Sequence, residues 1–130
     1  MILADTSAWI EYLRGTESSS HQRVRELLRS SDVATCDPVR MEVLAGARDE
    51  RHLENLQGLL ARTALIETEP GDYDSAAALY RACRVRGVTI RSIVDCLIAA
   101  HAIRIDVPVL HADADFDTLA RHTDLRIDDG

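Results

Sequence analysis

The chain has 130 residues, 46% of them hydrophobic and 4% aromatic, so one domain with a core of Leu, Ile, Val and Ala is expected. Its net charge of −7, from 15 basic residues (all arginine) against 22 acids, excludes a basic coat protein that binds nucleic acid regardless of sequence. No stretch reaches the roughly 18 apolar residues of a membrane span and none reads as a signal peptide. The cysteines Cys36, Cys83 and Cys96 make no disulfide framework, so a reducing cytoplasm is the expected location.

In chain order, residues 2–5 read as a short apolar strand, 8–13 as a brief helix and 15–20 as a polar loop. A second helix is expected over 21–29 and a strand over 33–36. Asp37-Pro38 supplies an N-cap and a proline at the first helical position, opening a helix that runs to about Ala47. Residues 50–61 form another helix, with Leu53, Leu56, Leu59 and Leu60 on one face, and 64–67 a strand. A helix over 72–86 is stopped by Gly87. Then come an apolar helix over 92–105, a strand over 107–111, a helix over 114–121 and a last short strand over 125–127. This alternation predicts an α/β fold, a mostly parallel sheet with helices on both faces.

Five acids interrupt or end apolar segments: Asp5, Glu42, Asp95, Asp113 and Asp115. Burying a charge without a partner costs several kcal/mol. With no lysine in the chain, arginine or a bound divalent metal must compensate. Each acid also has a purely structural reading. Asp5 can cap the helix that follows it, Asp113 or Asp115 the helix after the penultimate strand, and Ser92 with Asp95 can form a capping box. Capping does not explain why all five fall toward the carboxyl ends of the strands, where open α/β sheets bind ligands. The functional reading is a hard-metal site: Mg²⁺ or Mn²⁺ on oxygen ligands, activating water and stabilising charge on a phosphodiester. The five histidines and three cysteines show no zinc-type spacing. No G-x-G-x-x-G, Walker loop or G-x-S-x-G is present, and the missing lysine counts against P-loop and Schiff-base chemistry.

Four segments, M-I-L-A-D-T-S-A-W-I, P-V-R-M-E-V-L-A-G, S-I-V-D-C-L-I-A-A and H-A-D-A-D-F-D, together resemble the PIN-domain ribonucleases, and more narrowly the VapC toxins of bacterial VapBC toxin–antitoxin pairs. The resemblance covers almost the whole chain and implies a single PIN domain over residues 1–130, a three-layer α/β sandwich. It implies a Mg²⁺- or Mn²⁺-dependent endoribonuclease that blocks translation by cutting a structured RNA, often a transfer RNA. The family's acidic quartet maps onto Asp5, Glu42, Asp95 and Asp113, with Asp115 as a further acid and Asp5, Asp95, Asp113 and Asp115 as the metal ligands. Thr6 and Ser7 match supporting hydroxyls after the first acid. The implied partners are RNA, a VapB-type antitoxin and a second copy of the chain in a homodimer or hetero-oligomer.

Arg81, Arg84, Arg86 and Arg91 concentrate positive charge before the Asp95 helix. Arg86 and Arg91, flanking the expected loop, are the candidates for holding RNA phosphates. Two rival readings stand beside the toxin: an acidic pocket that binds a basic peptide without catalysis, and a PIN-type nuclease of RNA processing.

Overall fold

The computed structural model describes residues 1–130. The elements are β1 (Ile2–Ala4), α1 (Thr6–Arg14), α2 (Ser19–Ser30), β2 (Val33–Cys36), α3 (Asp37–Ala45), α4 (Glu50–Leu60), β3 (Ala64–Ile66), α5 (Pro70–Val85), α6 (Ile93–Ile105), β4 (Val109–Leu110) and α7 (Ala114–His122). The strands form one parallel sheet in the order β3-β2-β1-β4. All four residues of β2 are buried. Successive strand side chains point to opposite faces, so the sheet is covered on both, as an all-parallel sheet requires. The molecule is thus an α/β sandwich.

The strand order fixes where a cleft can form. From β1 the chain steps outward to β2 and β3, then returns to place β4 on the other side of β1. The point where this direction reverses lies between the carboxyl ends of β1 and β4, the place where open α/β sheets bind ligands. Register confirms the proximity: Leu3 pairs Val109, Ala4 pairs Leu110, and the Asp5 N–H donates to the Leu110 carbonyl at 2.9 Å.

Three helices start two residues before their expected positions, α5 at Pro70 among them, and the strand expected over 107–111 is reduced to Val109–Leu110; at α1 and α2 the cause is a cap that acts earlier than the apolar pattern suggests. Asp5 caps α1, which therefore starts at Thr6, and Ser18 caps α2, which starts at Ser19 inside the expected loop. The expected strand over 125–127 is reduced to a single bridge between Val109 and Ile127. Its hydrogen bonds, Val109 N–H to Arg126 and Asp128 N–H to Val109, surround one residue only.

A buried polar network pins α5 against α6. Arg104 of α6 grips Asp72 of α5 through Nε at 2.8 Å and Nη2 at 3.0 Å. Fully buried His101 lies 2.7 Å from the Leu97 carbonyl through Nδ1, which must carry the hydrogen there. Its Nε2 is 2.8 Å from the Thr68 hydroxyl. Asp72 also accepts from the Glu69 N–H at the start of α5. Burial works against the Asp72 charge, but these bonds and the Arg104 charge outweigh it and hold its pKa below the usual value. The three cysteines are free and buried.

Candidate active site

Asp5 follows β1 directly and is 3% exposed. Its Oδ2 accepts from the Ser7 N–H at 3.0 Å and the Ser7 hydroxyl at 2.6 Å. Its Oδ1 is buried with no partner. The Ser7 oxygen in turn accepts from the Ala112 N–H at 2.9 Å, tying the end of β1 to the segment after β4. Thr6 points to the other side, where its hydroxyl donates to Glu42 Oε1 of α3 at 2.7 Å. The capping reading of Asp5 is therefore realised, yet it uses one carboxylate oxygen and leaves the other free.

Asp95, Asp113 and Asp115 come together: one carboxylate oxygen from each lies within 4.8 Å of the others. Asp95 stands in the first turn of α6, with Oδ2 buried and unpartnered. Asp113 caps α7, its Oδ1 accepting from the Asp115 N–H at 2.9 Å. The Ser92–Asp95 capping box does not form. Its donor, the Ser92 N–H, is taken by Asp115 Oδ2 at 3.2 Å, and the Ser92 side chain makes no capping bond. Asp95 is thereby released from a capping role and faces the other acids.

Arg91 reaches across this cluster, with Nε 3.3 Å from Asp115 Oδ1 and Nη2 3.0 Å from Asp113 Oδ1. Arg86 touches no acid of the site; its guanidinium lies 3.5 Å from His122 Nδ1. His111, which the sequence did not single out, accepts from the Asp113 N–H through Nδ1 at 3.0 Å. Its Nε2, 3.2 Å from Asp117, then carries the hydrogen. A histidine ending a strand carries no sequence signal for such a positioning role.

The electrostatics follow from this crowding. Burial raises the pKa of Asp95 to about 8, helped by the charge of Asp5, by a bond to Asp115 that needs the protonated form, and by the charges of Asp113 and Asp115. Burial also raises Asp5, against the Ser7 hydrogen bonds and with added repulsion from Glu42. Asp115 moves the other way: burial disfavours its charge, but donors from Asp95, Arg91 and Ser92 hold its pKa down. The proton is thus favoured on Asp95 and the charge on Asp115, the pattern of an interacting carboxylate pair.

The three clustered acids, with Asp5 acting on Asp95, offer only oxygen ligands, which suits Mg²⁺ or Mn²⁺. Asp5 Oδ1 and Asp95 Oδ2 are buried carboxyl oxygens without hydrogen-bond partners, a costly arrangement that a divalent cation would relieve. The residues present therefore fit such an ion. Glu42 is joined to this group through Thr6 and the repulsion it exerts on Asp5. It also lines a groove of about 430 Å³ with Ile10, Leu13, Arg14 and Arg48.

The family model described as PIN domain matches residues 2–122. Ribonuclease VapC11 of Mycobacterium tuberculosis is 46% identical over 129 residues, covering 97% of this chain and 96% of the relative. The chain belongs to the PIN-domain family, as a VapC-type member. Solved structures agree with the VapC fold. DNA-bound VapBC from Salmonella typhimurium superposes with a TM-score of 0.79 at 21% identity, over 98% of this chain and 96% of that one. VapC20 of Mycobacterium tuberculosis, a toxin that cleaves the sarcin–ricin loop, gives 0.70 at 19% identity, over 97% and 99%.

Proposed function

We propose that this VapC-type chain is a Mg²⁺- or Mn²⁺-dependent endoribonuclease toxin that acts in the cytoplasm and inhibits translation by cutting a structured RNA, transfer RNA being the substrate class. The observation that carries this reading is the convergence of Asp95, Asp113 and Asp115 at the sheet's reversal point, with the unpartnered oxygens of Asp5 and Asp95. The membership in a family of ribonucleases supports it.

When bound, the metal ion supplies positive charge to the phosphodiester as its transition state forms and lowers the pKa of water. The rest falls to the chain. Ser7 locks one oxygen of Asp5 and so fixes the direction of the other. His111 holds the backbone of Asp113, and Asp113 holds that of Asp115. Asp95 must lose its proton before all three carboxylates can serve as ligands. Thr6 holds Glu42 Oε1, and the Glu42 charge reaches Asp5 and helps raise its pKa. Arg91, which lies on the acids, and Arg86, at the other end of the same loop, are the RNA-binding residues of this reading.

The same reading gives the chain a VapB-type antitoxin, in a hetero-oligomer or beside a homodimer. The Salmonella relative was solved as a VapBC assembly, which supports this partner. The groove between α1, α3 and α4 suits it: Ile10, Leu13 and Val43 offer apolar surface, Arg14 and Arg48 positive charge, and Thr6 and Glu42 link the groove to the acids.

Sequencing of RNA ends after induced expression tests this function. The expected result is new ends at one position of one RNA with the intact protein and none with Asp5→Asn. A cut in the sarcin–ricin loop would change the substrate and keep the mechanism. Identical RNA ends for both proteins would refute the nuclease reading and favour a pocket that merely binds basic peptide.

A further inference from the structure

We propose that Arg91 is an internal counter-cation of the acidic cluster, which a divalent metal ion must displace in order to bind. This rests on the metal reading above and adds to it a competition built into the chain. Arg91 lies in the loop between α5 and α6, and its two contacts are to Asp113 and Asp115, two of the three acids that converge. Arg91 takes a lone pair on Asp113 Oδ1 and on Asp115 Oδ1 and offsets the charge of both carboxylates, so it competes there with any cation the cluster would bind.

The local structure suits displacement. The backbone around Arg91 is anchored on both sides: Ile90 is buried in the core, and the Ser92 N–H is held by Asp115. The Arg91 side chain itself is 72% exposed. Rotation of that side chain into solvent therefore frees the acids without moving the loop. Exposed ion pairs of this kind are weak. The guanidinium offsets repulsion among the acids while it is in place and gives way to an ion of higher charge density. Asp95, the third acid, makes no hydrogen bond or ion pair with Arg91 and keeps an oxygen unpartnered, so its carboxyl group is not blocked by the arginine.

The test is calorimetric titration of Mn²⁺ into the full chain after chelator treatment, at fixed pH and salt. The variants are Arg91→Ala, Arg91→Lys and Arg86→Ala, the last removing the same charge from the other end of the same loop, where it touches no acid of the site. Arg91→Ala is expected to bind Mn²⁺ roughly three- to tenfold more tightly than wild type. Arg91→Lys is expected to fall between the two, and Arg86→Ala within about twofold of wild type. The rise in thermal midpoint on adding saturating Mn²⁺ is expected to be larger for Arg91→Ala than for wild type. Equal or weaker binding by Arg91→Ala, with wild type binding normally, overturns the displacement and leaves the metal site standing. So does equal tightening by Arg86→Ala, which would trace the effect to net charge. Failure of every protein to bind Mn²⁺ at millimolar concentration overturns the metal reading and the displacement together.

Discussion

At the residue scale, Asp95 governs how the site responds to pH. Burial and the surrounding acids raise its pKa from the usual 3.8 to about 8, so the folded chain binds a proton that the unfolded chain releases. Native stability measured in chelator should therefore fall as pH rises through that window, by up to ~1.4 kcal/mol per pH unit. Asp5, also raised, contributes with the same sign. Asp95→Asn carries no such proton. Its midpoint should depend less on pH there and lie above wild type at pH 8, while cleavage falls about a hundredfold or more. Thermal melts across pH check the first expectation, and a variant that unfolds instead would return Asp95 to a structural role. Mn²⁺ affinity should rise with pH over the same range, because the Asp95 proton must leave. The acids themselves were legible in the sequence, since each breaks an apolar segment. The hand-over of the Ser92 N–H to Asp115 was not, because it joins positions 23 apart and no local pattern encodes it.

At the element scale, α6 carries Asp95 and is held from behind by α5. The Arg104–Asp72 pair and His101 make that hold, all remote from the acids. Asp72→Asn weakens the pair with Arg104 in a nearly fully buried position, so a loss of about 1–3 kcal/mol is expected. Denaturant melts measure it, and cleavage per folded molecule should be unaltered. A loss of activity larger than the loss of folded protein would mean that α5 sets the position of Asp95. Asp37-Pro38 and Gly87 announced a helix start and a helix stop, and α3 begins and α5 ends there, but Asp37 is not the expected N-cap: Cys36 holds that position without a side-chain bond, and Asp37 is already the first helical residue. The bridge at Ile127 shows the opposite case. An apolar triplet reads as a strand, but whether it pairs along its length depends on β4, a partner of only two residues.

At the scale of the whole molecule, the parallel sheet delivers Asp5 and Asp113 to one edge, and α6 and α7 bring Asp95 and Asp115 to them. With a net charge of −7, the proposed function requires RNA to be met locally, by metal and by a few arginines, rather than by the overall field. Arg86→Ala with Arg91→Ala should flatten the salt dependence of RNA binding, each lost phosphate contact lowering the log–log slope by roughly 0.7 to 0.9. Filter binding across salt concentrations checks this, and an unaltered slope would move the RNA contacts to other arginines. In the proposed function the converging carboxylates hold the metal ion that RNA cleavage requires. Incubating the purified chain with an extract of structured RNAs, with Mg²⁺ or Mn²⁺ and with excess chelator, beside Asp95→Asn, tests this most directly. Discrete cleavage by the intact chain with metal, none in chelator, and almost none by the variant under either condition is the expected result. Full cleavage in chelator, or undiminished cleavage by Asp95→Asn, would contradict it.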